Sequence, residues 1–386
     1  MANPVSIAVV GVGNMGSSHL KSIADIDNLN LAAICDIDVE KGEKLAKEND
    51  VPFFKDHKSL LEAKVAEAIV IATPHYDHTT IGIKALEAGL HVLVEKPISV
   101  HKADCKRLIA AYKNKDQVFS AMFNQRTNPM YIKAKELLEN GELGEFRRVN
   151  WIITDWYRTQ SYYNSGGWRA TWAGEGGGVL LNQCPHQLDL IQWICGMPSS
   201  VKTIGGLGKF HEIEVEDDVT TIMEYPNGGT GVFVTTTGEA PGTNRLEIVG
   251  TRGKLVIESG HPMKFIRNEQ PTDVHLKEAT LGFGKPPIWN IEIPVRGGGE
   301  GHRGILKNFA NAIQGKEELL APAVEGIHSV ELANGMIYSL ITKETVEFPL
   351  DEKAYEETLK GLISNSTFVK AEAKAKTNAD DFSQSH

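Results

Sequence analysis

Short apolar runs alternate with amphipathic stretches along the first third of the chain. The runs lie at 5–10, 29–35, 67–72, 90–94 and 118–123, and apolar residues three or four apart recur between them. Continuous apolar runs of this length are typical of strands buried in a parallel sheet, and the 3.6-residue period indicates intervening helices. The pattern therefore predicts an α/β domain over residues 1–123.

From about residue 200 the pattern changes to alternating apolar and polar positions. Segments 219–225 and 230–237 flank Pro226-Asn-Gly-Gly229, and segments 245–249 and 254–258 flank Gly250-Thr-Arg-Gly253, so each pair predicts a β-hairpin. Helical periods are predicted from residue 99, at 129–140, around 181–196, at 301–314 and at 324–340. We therefore expect a second, α+β domain over 124–369 with an antiparallel sheet, and a polar tail at 370–386.

A glycine-rich turn follows the first apolar run. Gly11-Val-Gly-Asn-Met-Gly16 joins that run to a helix, and glycines at these positions permit a sharp turn and let the backbone approach a pyrophosphate. The next run ends in Asp36, twenty residues after Gly16 (36 − 16 = 20), where a carboxylate accepts hydrogen bonds from the adenosine ribose and repels a 2′-phosphate. NAD is therefore favoured over NADP. The alternative is a glycine turn in another doubly wound protein, with Asp36 merely solvated.

Further cofactor contacts are expected at the carboxyl ends of later strands, where open α/β sheets bind ligands. Thr73-Pro74 follows the third long run, and His78 lies in the next helix, where it is either a cofactor contact or a surface residue. Lys96 follows the run that begins at Leu90. The predicted cofactor site comprises Gly11, Gly13, Asn14, Met15, Gly16, Asp36, Thr73, Pro74, His78 and Lys96.

The glycine turn, Asp36, Thr73-Pro74 and Glu95-Lys96-Pro97 stand in the order of a known family. With them, the chain resembles the Gfo/Idh/MocA oxidoreductases, named after glucose-fructose oxidoreductase and inositol dehydrogenase, and it is most similar to sugar or glucoside dehydrogenases. The resemblance implies an amino-terminal Rossmann domain and a carboxy-terminal domain with a large, open, mostly antiparallel sheet. It also implies that Lys96 touches the reacting hydroxyl, that Glu95 lies by the nicotinamide ribose and that Pro97 is often cis.

The family's Asp-x-x-x-His pattern falls on Asn182 and His186, after Gly176-Gly-Gly178. If both residues lie on one helix, a separation of four places them on the same face. The resemblance implies that His186 is the catalytic base, although a histidine on an apolar helix is more often a satisfied core residue. Asn182 can orient a substrate hydroxyl but cannot carry charge, so the charge balance of the site differs from that of relatives with Asp.

Residues 156–172 are rich in aromatic, Arg and Gly residues and show no clean period. This composition favours either an irregular substrate-binding loop or an interface loop. By position, Arg126, Trp168 and Arg169 are candidate substrate contacts.

Composition narrows the range of partners. The net charge of −10 argues against binding nucleic acid or anionic lipid, and no apolar run approaches the ~20 residues that span a bilayer. Cys35, Cys105, Cys184 and Cys195 are widely spaced, so neither a zinc site nor another metal site is expected, and the protein is expected to be cytoplasmic. One face of the second sheet must be covered, and the resemblance implies that another subunit covers it, so a homo-oligomer is expected, a dimer or a tetramer.

We therefore expect an NAD-dependent dehydrogenase that oxidises a secondary alcohol of a sugar, glycoside or cyclitol, or catalyses the reverse reduction. His186 is expected to act as base, Lys96 to stabilise the alkoxide and Asn182 to orient the substrate. Two alternatives remain open at this point: redox-neutral, NAD-dependent glycoside cleavage, and a non-catalytic NAD-binding sensor.

Overall fold

The computed structural model describes residues 3–370. Its first unit is a six-stranded parallel sheet of β1 (Val5–Val10), β2 (Leu29–Cys35), β3 (Phe53–Phe54), β4 (Ala68–Ile71), β5 (His91–Val94) and β6 (Phe119–Ala121). The connecting helices are α1 (Asn14–Ala24), α2 (Val39–Glu48), α3 (His57–Ala63), α4 (His75–Glu87) and α5 (Lys102–Ala111). The strand order β3-β2-β1-β4-β5-β6 is that of a dinucleotide-binding Rossmann fold, which confirms the predicted fold class.

The second unit is built on a nine-stranded sheet. Its strands are β7 (Phe146–Ile153), β8 (Ser200–Leu207), β9 (Glu216–Glu224), β10 (Thr230–Thr236), β11 (Asn244–Gly250), β12 (Gly253–Glu258), β13 (Lys264–Asn268), β14 (Ile288–Glu292) and β15 (Val346–Glu347). Strands β7 and β10 pair in parallel and the other neighbours are antiparallel, so the sheet is mostly antiparallel as predicted. Both predicted hairpins are present, as β9 with β10 and as β11 with β12.

The second part of the chain also contains helices. They are α6 (Pro129–Glu139), α7 (Gln160–Asn164), α8 (Pro185–Cys195), α9 (Thr272–Glu278), α10 (Gly301–Ile313), α11 (Gly326–Thr342) and α12 (Glu352–Asn365), with 3₁₀ turns at Asn124–Thr127 and Ala323–Glu325. Helix α10 returns to the first unit, because Ile305 and Phe309 are buried in the same apolar core as β1 and β4. The proposed boundaries at 123 and 369 remain predictions, and apart from Lys370 the predicted tail lies outside the described residues.

Two helix starts differ from the sequence prediction. Helix α5 begins at Lys102 rather than near Ser99, because the His101 side chain caps it by accepting a hydrogen bond from the Asp104 N–H at 3.3 Å. Helix α8 begins only at Pro185, since proline fits the first turn of a helix but not its interior. Among residues 3–370, no helix has the length and apolar character to cross a bilayer.

Candidate active site

The glycine turn between β1 and α1 forms an open cradle. Gly11 has a φ of +87°, and a Cβ there would lie 2.7 Å from the Ala72 carbonyl oxygen, while a Cβ on Gly16 would overlap the Gly11 carbonyl oxygen. A Cβ on Gly13 would meet no atom within 4 Å, so this glycine borders open space. No side chain caps the first turn of α1, which leaves its N–H groups to bind an anion. The cradle fits a dinucleotide pyrophosphate.

Asp36 and Thr73 lie beside this cradle. The Asp36 Oδ2 accepts a hydrogen bond from the Val12 N–H at 2.6 Å, and its Oδ1 accepts one from the Asp38 N–H at 2.8 Å. The Asp36 carboxylate therefore fixes the glycine turn and keeps further lone pairs for ribose hydroxyls. The Thr73 hydroxyl is buried and has no hydrogen-bond partner among the described residues, as expected for a group that faces a cofactor.

His78 has a different position from the predicted one. Its imidazole is buried, and its two ring nitrogens lie 2.8 Å from the carbonyl oxygens of Thr73 and Pro97. Burial lowers the pKa of His78, although both carbonyl oxygens favour its protonated form. Because both nitrogens contact the backbone, the contacts of His78 argue that it braces the two loops beside the cofactor site rather than binding the cofactor itself.

Lys96 stands at the carboxyl end of β5, as the sequence predicts. The Lys96-Pro97 peptide bond is cis, and the Lys96 ammonium donates a hydrogen bond to the backbone carbonyl of Asn182 at 3.0 Å. Burial lowers the pKa of Lys96, and the nearby carboxylates of Glu95 and Glu175 oppose this effect. Lys96 therefore links the Rossmann unit to the segment that leads into α8.

Glu95 forms a buried pair with a histidine of α1. Its Oε1 lies 2.7 Å from the His19 Nε2, and both side chains are almost fully buried. Burial raises the pKa of Glu95, but the hydrogen bond and charge of His19 outweigh it and hold this pKa well below its ordinary value. The Glu95 carboxylate therefore forms its ion pair with His19.

His186 lies in the first turn of α8. Burial, followed by the charges of Lys96 and His302, places the pKa of His186 well below its ordinary value, so its imidazole is neutral and able to accept a proton. Its Nδ1 is buried and has no hydrogen-bond partner among the described residues. A neutral imidazole with an unpaired nitrogen can accept a proton as a general base must, although the lowered pKa makes it a weaker base than an ordinary histidine.

Asn182 does not share a helix face with His186, so that expectation is wrong. Pro185 starts α8, and Asn182 lies in the preceding turn, where its N–H donates to the Gly178 carbonyl at 2.9 Å. The Asn182 side-chain amide donates to the Glu175 carboxylate, and its Oδ1 accepts hydrogen bonds from the Tyr162 hydroxyl at 3.1 Å and the Gln183 amide at 3.0 Å. Protein groups therefore hold the Asn182 amide on both sides.

The three candidate substrate contacts separate into two groups. Arg126 is fully buried and binds the Asp189 carboxylate through two hydrogen bonds of 2.7 and 2.8 Å, and Glu325 at 2.5 Å, so the structure argues against Arg126 as a substrate contact. Trp168 and Arg169 do lie at the site. The Arg169 guanidinium is 4.8 Å from the Trp168 ring centroid and donates to the Tyr162 hydroxyl at 2.6 Å. Their contact with substrate remains a prediction.

Glu175 and His302 lie at the site but are not predicted from the sequence. Glu175 is 1% exposed and contacts Asn182, although its only sequence signal is its place beside the glycine run. His302 of α10 has its ring centroid 5.7 Å from that of His19, and burial lowers the pKa of His302 to about 4. A remote helix supplies His302, so no local pattern pointed to it. Within residues 3–370, no group of three or more His, Cys, Asp or Glu could hold a metal ion.

Two family models match the chain in succession. Residues 5–123 match the model described as an oxidoreductase family with an NAD-binding Rossmann fold, and residues 131–256 match the model described as the GFO/IDH/MocA C-terminal domain. The two matches cover the cofactor cradle, Lys96 and His186.

Several characterised proteins are similar along most of their length. The levoglucosan dehydrogenase of Pseudarthrobacter phenanthrenivorans is 26% identical over 292 residues, which cover 65% of this chain and 73% of that protein. The myo-inositol 2-dehydrogenase of Thermotoga maritima is 25% identical over 273 residues, covering 69% and 79%. The crystal structure of the WlbA dehydrogenase from Chromobacterium violaceum, in complex with NADH and UDP-GlcNAcA, superposes with a TM-score of 0.77 at 25% identity, covering 91% of this chain and 98% of that one.

Proposed function

The chain belongs to the GFO/IDH/MocA family of NAD-binding oxidoreductases, and from this premise we propose that it oxidises a secondary alcohol of a polyhydroxylated substrate to a ketone, or catalyses the reverse reduction. The substrate class proposed is a sugar, a glycoside or a cyclitol. Relatives named as dehydrogenases of levoglucosan and of myo-inositol support this class.

One observation carries the proposal: a lysine of the Rossmann unit meets the segment of the second unit that bears the histidine. The Lys96 ammonium bonds to the Asn182 carbonyl at 3.0 Å, and its charge is close enough to lower the pKa of His186. A cation and a neutral base at the carboxyl edge of a dinucleotide-binding sheet are the two groups that alcohol oxidation needs.

In this proposal, some residues bind the cofactor or the substrate, and His186 transfers the proton. Gly11, Gly13, Gly16, Asp36 and Thr73 would hold NAD, which supplies the hydride acceptor when it is bound. The Lys96 ammonium binds the substrate oxygen and stabilises the negative charge that develops there. The neutral His186 imidazole accepts the hydroxyl proton as the carbinol C–H electron pair leaves, and it returns this proton in the reverse direction.

The first experiment measures NADH absorbance with NAD and a panel of inositols, free hexoses, alkyl and aryl glucosides, and nucleotide sugars. We expect one class to yield NADH, and Lys96→Ala and His186→Ala to abolish this activity while NADH still binds. The exposed residues His261 and Lys264 provide matched controls, since His261→Ala and Lys264→Ala remove the same side chains far from the site. Equal loss in these control variants would contradict the assigned roles.

A second candidate is a reaction without net redox change. The 2,7-anhydro-N-acetylneuraminate hydratase of Escherichia coli is 28% identical over 264 residues, covering 66% of this chain and 68% of that protein. A hydratase adds water and leaves the oxidation state of its substrate unchanged. Consumption of an anhydro sugar or glycoside without accumulation of NADH, detected by product chromatography, would favour this candidate over the dehydrogenase.

A further inference from the structure

We infer that Glu175 supplies the active-site negative charge that Asn182 cannot carry, and that it acts through Asn182 and Lys96 as a positioning residue. This inference rests on the proposed function, because it concerns the same site. It accounts for the amide at position 182, where the resemblance to the family leads one to expect a carboxylate.

The contacts of Glu175 join it to both residues. Its Oε1 accepts a hydrogen bond from the Asn182 side-chain amide, and its Oε2 accepts one from the Ala170 N–H at 2.6 Å. The Lys96 ammonium in turn donates to the Asn182 backbone carbonyl at 3.0 Å. Glu175, Asn182 and Lys96 therefore form one connected cluster, although 79 residues separate Lys96 from Glu175 in sequence (175 − 96 = 79).

The surroundings of Glu175 contain two cations, Arg169 and Lys370, and a second buried carboxylate, Glu216. Its side chain is 1% exposed, and a buried carboxylate requires compensation by cations or hydrogen bonds. Burial raises the pKa of Glu175, and the charges of Arg169 and Lys370 and the two hydrogen bonds oppose this rise. Arg169 of the loop, Lys370 of the carboxy-terminal segment and the two hydrogen bonds therefore favour the anionic form of Glu175, against the effect of burial.

The charge of Glu175 also raises the pKa of Lys96. The groups whose charge couples to that of Lys96 are Glu95, Glu175, Arg169, Cys184, His75, His186 and His302. Of the two carboxylates in this set, Glu95 is already paired with His19 at 2.7 Å. Glu95 nevertheless raises the pKa of Lys96 more than Glu175 does, so Glu175 is the second carboxylate that favours the protonated form of Lys96.

The amide at 182 and the acid at 175 are complementary. The Asn182 amide nitrogen faces an acceptor, and its oxygen faces the donors of Tyr162 and Gln183, so the orientation of the amide is determined. A second carboxylate at 182 would face Glu175 directly, and two buried carboxylates in contact cannot both ionise readily. A single carboxylate, at either position 175 or position 182, therefore gives the site its negative charge, and the amide at the other position completes the hydrogen bond.

The test exchanges the acid and the amide between positions 175 and 182. We expect Glu175→Gln and Asn182→Asp each to lower kcat at least about tenfold, and the double variant Glu175→Gln/Asn182→Asp to recover most of the loss, because it again holds one acid and one amide. Glu214→Gln is the matched control, since Glu214 accepts a hydrogen bond from the Trp172 N–H of the same loop at 2.9 Å and has no contact with Asn182 among the described residues. Thermal unfolding and NADH binding confirm that each variant is folded.

A second readout needs no substrate. The rate at which acetic anhydride labels Lys96, followed by peptide mass spectrometry as a function of pH, reports the pKa of this lysine. Removal of a neighbouring negative charge disfavours the ammonium, so we expect this pKa to fall in Glu175→Gln and to return towards its original value in the double variant. For the same reason the alkaline limb of the pH profile of kcat/KM moves to lower pH in Glu175→Gln.

The outcomes separate the inference from the proposed function. An unchanged Lys96 pKa in Glu175→Gln, or a double variant no better than the single variants, overturns the inference. If the Lys96 pKa shifts as expected and no compound of the panel yields NADH, the charge role of Glu175 stands and the dehydrogenase assignment fails. Should Glu175→Gln not fold, Asn182→Asp and the double variant decide by themselves, because only charge sharing predicts recovery when the second change is added.

Discussion

Alcohol oxidation requires a protonated Lys96 and a neutral His186, and burial lowers the pKa of both side chains. It lowers the pKa of His186, which keeps the imidazole neutral and ready to accept a proton. It also lowers the pKa of Lys96, which weakens the ammonium that should bind the substrate oxygen. The same low-polarity surroundings therefore favour one catalytic group and oppose the other, and nearby carboxylates must stabilise the lysine.

These directions predict the pH dependence of oxidation. His186 must be deprotonated and Lys96 protonated, so kcat/KM should follow a bell-shaped curve. Since both pKa values are lowered by burial, the acid limb should lie below 6.5 and the alkaline limb below 10.5, the ordinary values of the two side chains. Initial rates with the substrate identified by the panel measure both limbs, and an alkaline limb at or above the ordinary lysine value would contradict this assignment.

We expect Asp36 to determine the preference for NADH over NADPH. We expect Asp36→Ser to weaken NADH binding by about 1.5–3 kcal/mol, because hydrogen bonds to a charged group are lost, and to narrow the preference over NADPH. Fluorescence titration with NADH and NADPH measures both effects. Asp38→Ser is the matched control, because it removes a carboxylate two residues away that caps α2. A similar change of cofactor preference in both variants would indicate a general effect of charge rather than contact with the ribose.

At the scale of elements, a buried ion pair holds α8 against the segment that follows β6. Arg126 lies in the 3₁₀ turn Asn124–Thr127, and Asp189 is on α8, three residues after His186. Both side chains are 1% exposed, and the guanidinium bonds both carboxylate oxygens. This pair thus sets the position of the helix that carries the proposed base.

We expect Arg126→Met to lower the free energy of unfolding by about 3–5 kcal/mol, because it leaves the Asp189 charge buried without a cation to balance it. Denaturant titration measures this loss. Arg147→Met is the control, since its ion pair with Glu145 is half exposed and should contribute less than about 1 kcal/mol. A raised KM with unchanged stability would instead restore Arg126 as a substrate contact.

The sequence predicts elements well where the signal is local. The bounds of β1 and β2 agree with the predicted runs, because each strand is one apolar run that ends at a glycine or an acid. The turn before α8 was misread, since its residues make helix-like bonds such as Asn182 N–H to Gly178 before Pro185 begins the helix. A helical period alone does not distinguish such a turn from a first helical turn.

The active site is only partly predictable for the same reason. Lys96 and His186 each stand in a motif with a fixed spacing, so both could be found from the sequence. Glu175 and His302 acquire their roles from contacts with residues far away in the chain, to Lys96 and Asn182 for the first and to His19 for the second. The buried pair of Arg126 could not be predicted, because a single arginine in a loop gives no indication that Asp189 will be buried beside it.

At the scale of the whole molecule, one face of the nine-stranded sheet carries exposed aliphatic side chains. Ile152 of β7, Ile222 of β9 and Ile204 of β8 are 39%, 56% and 64% exposed. Strand register places Val234 opposite both Ile152 and Thr220, and Thr220 lies opposite Ile204, so these residues form a contiguous outer stripe. An apolar stripe of this kind is typical of an interface, which supports the proposal of a homo-oligomer.

We expect the protein to sediment as a dimer or a tetramer, and Ile222→Lys to shift it towards the monomer, because a charge in an apolar interface is costly to desolvate. Sedimentation velocity across a range of concentrations measures the change. Leu276→Lys is the matched control, since Leu276 of α9 is 82% exposed but lies outside the sheet face. A monomeric parent protein would contradict the proposal, and equal dissociation of both variants would place the interface elsewhere. A monomeric Ile222→Lys variant that keeps NADH binding would further separate assembly from cofactor recognition.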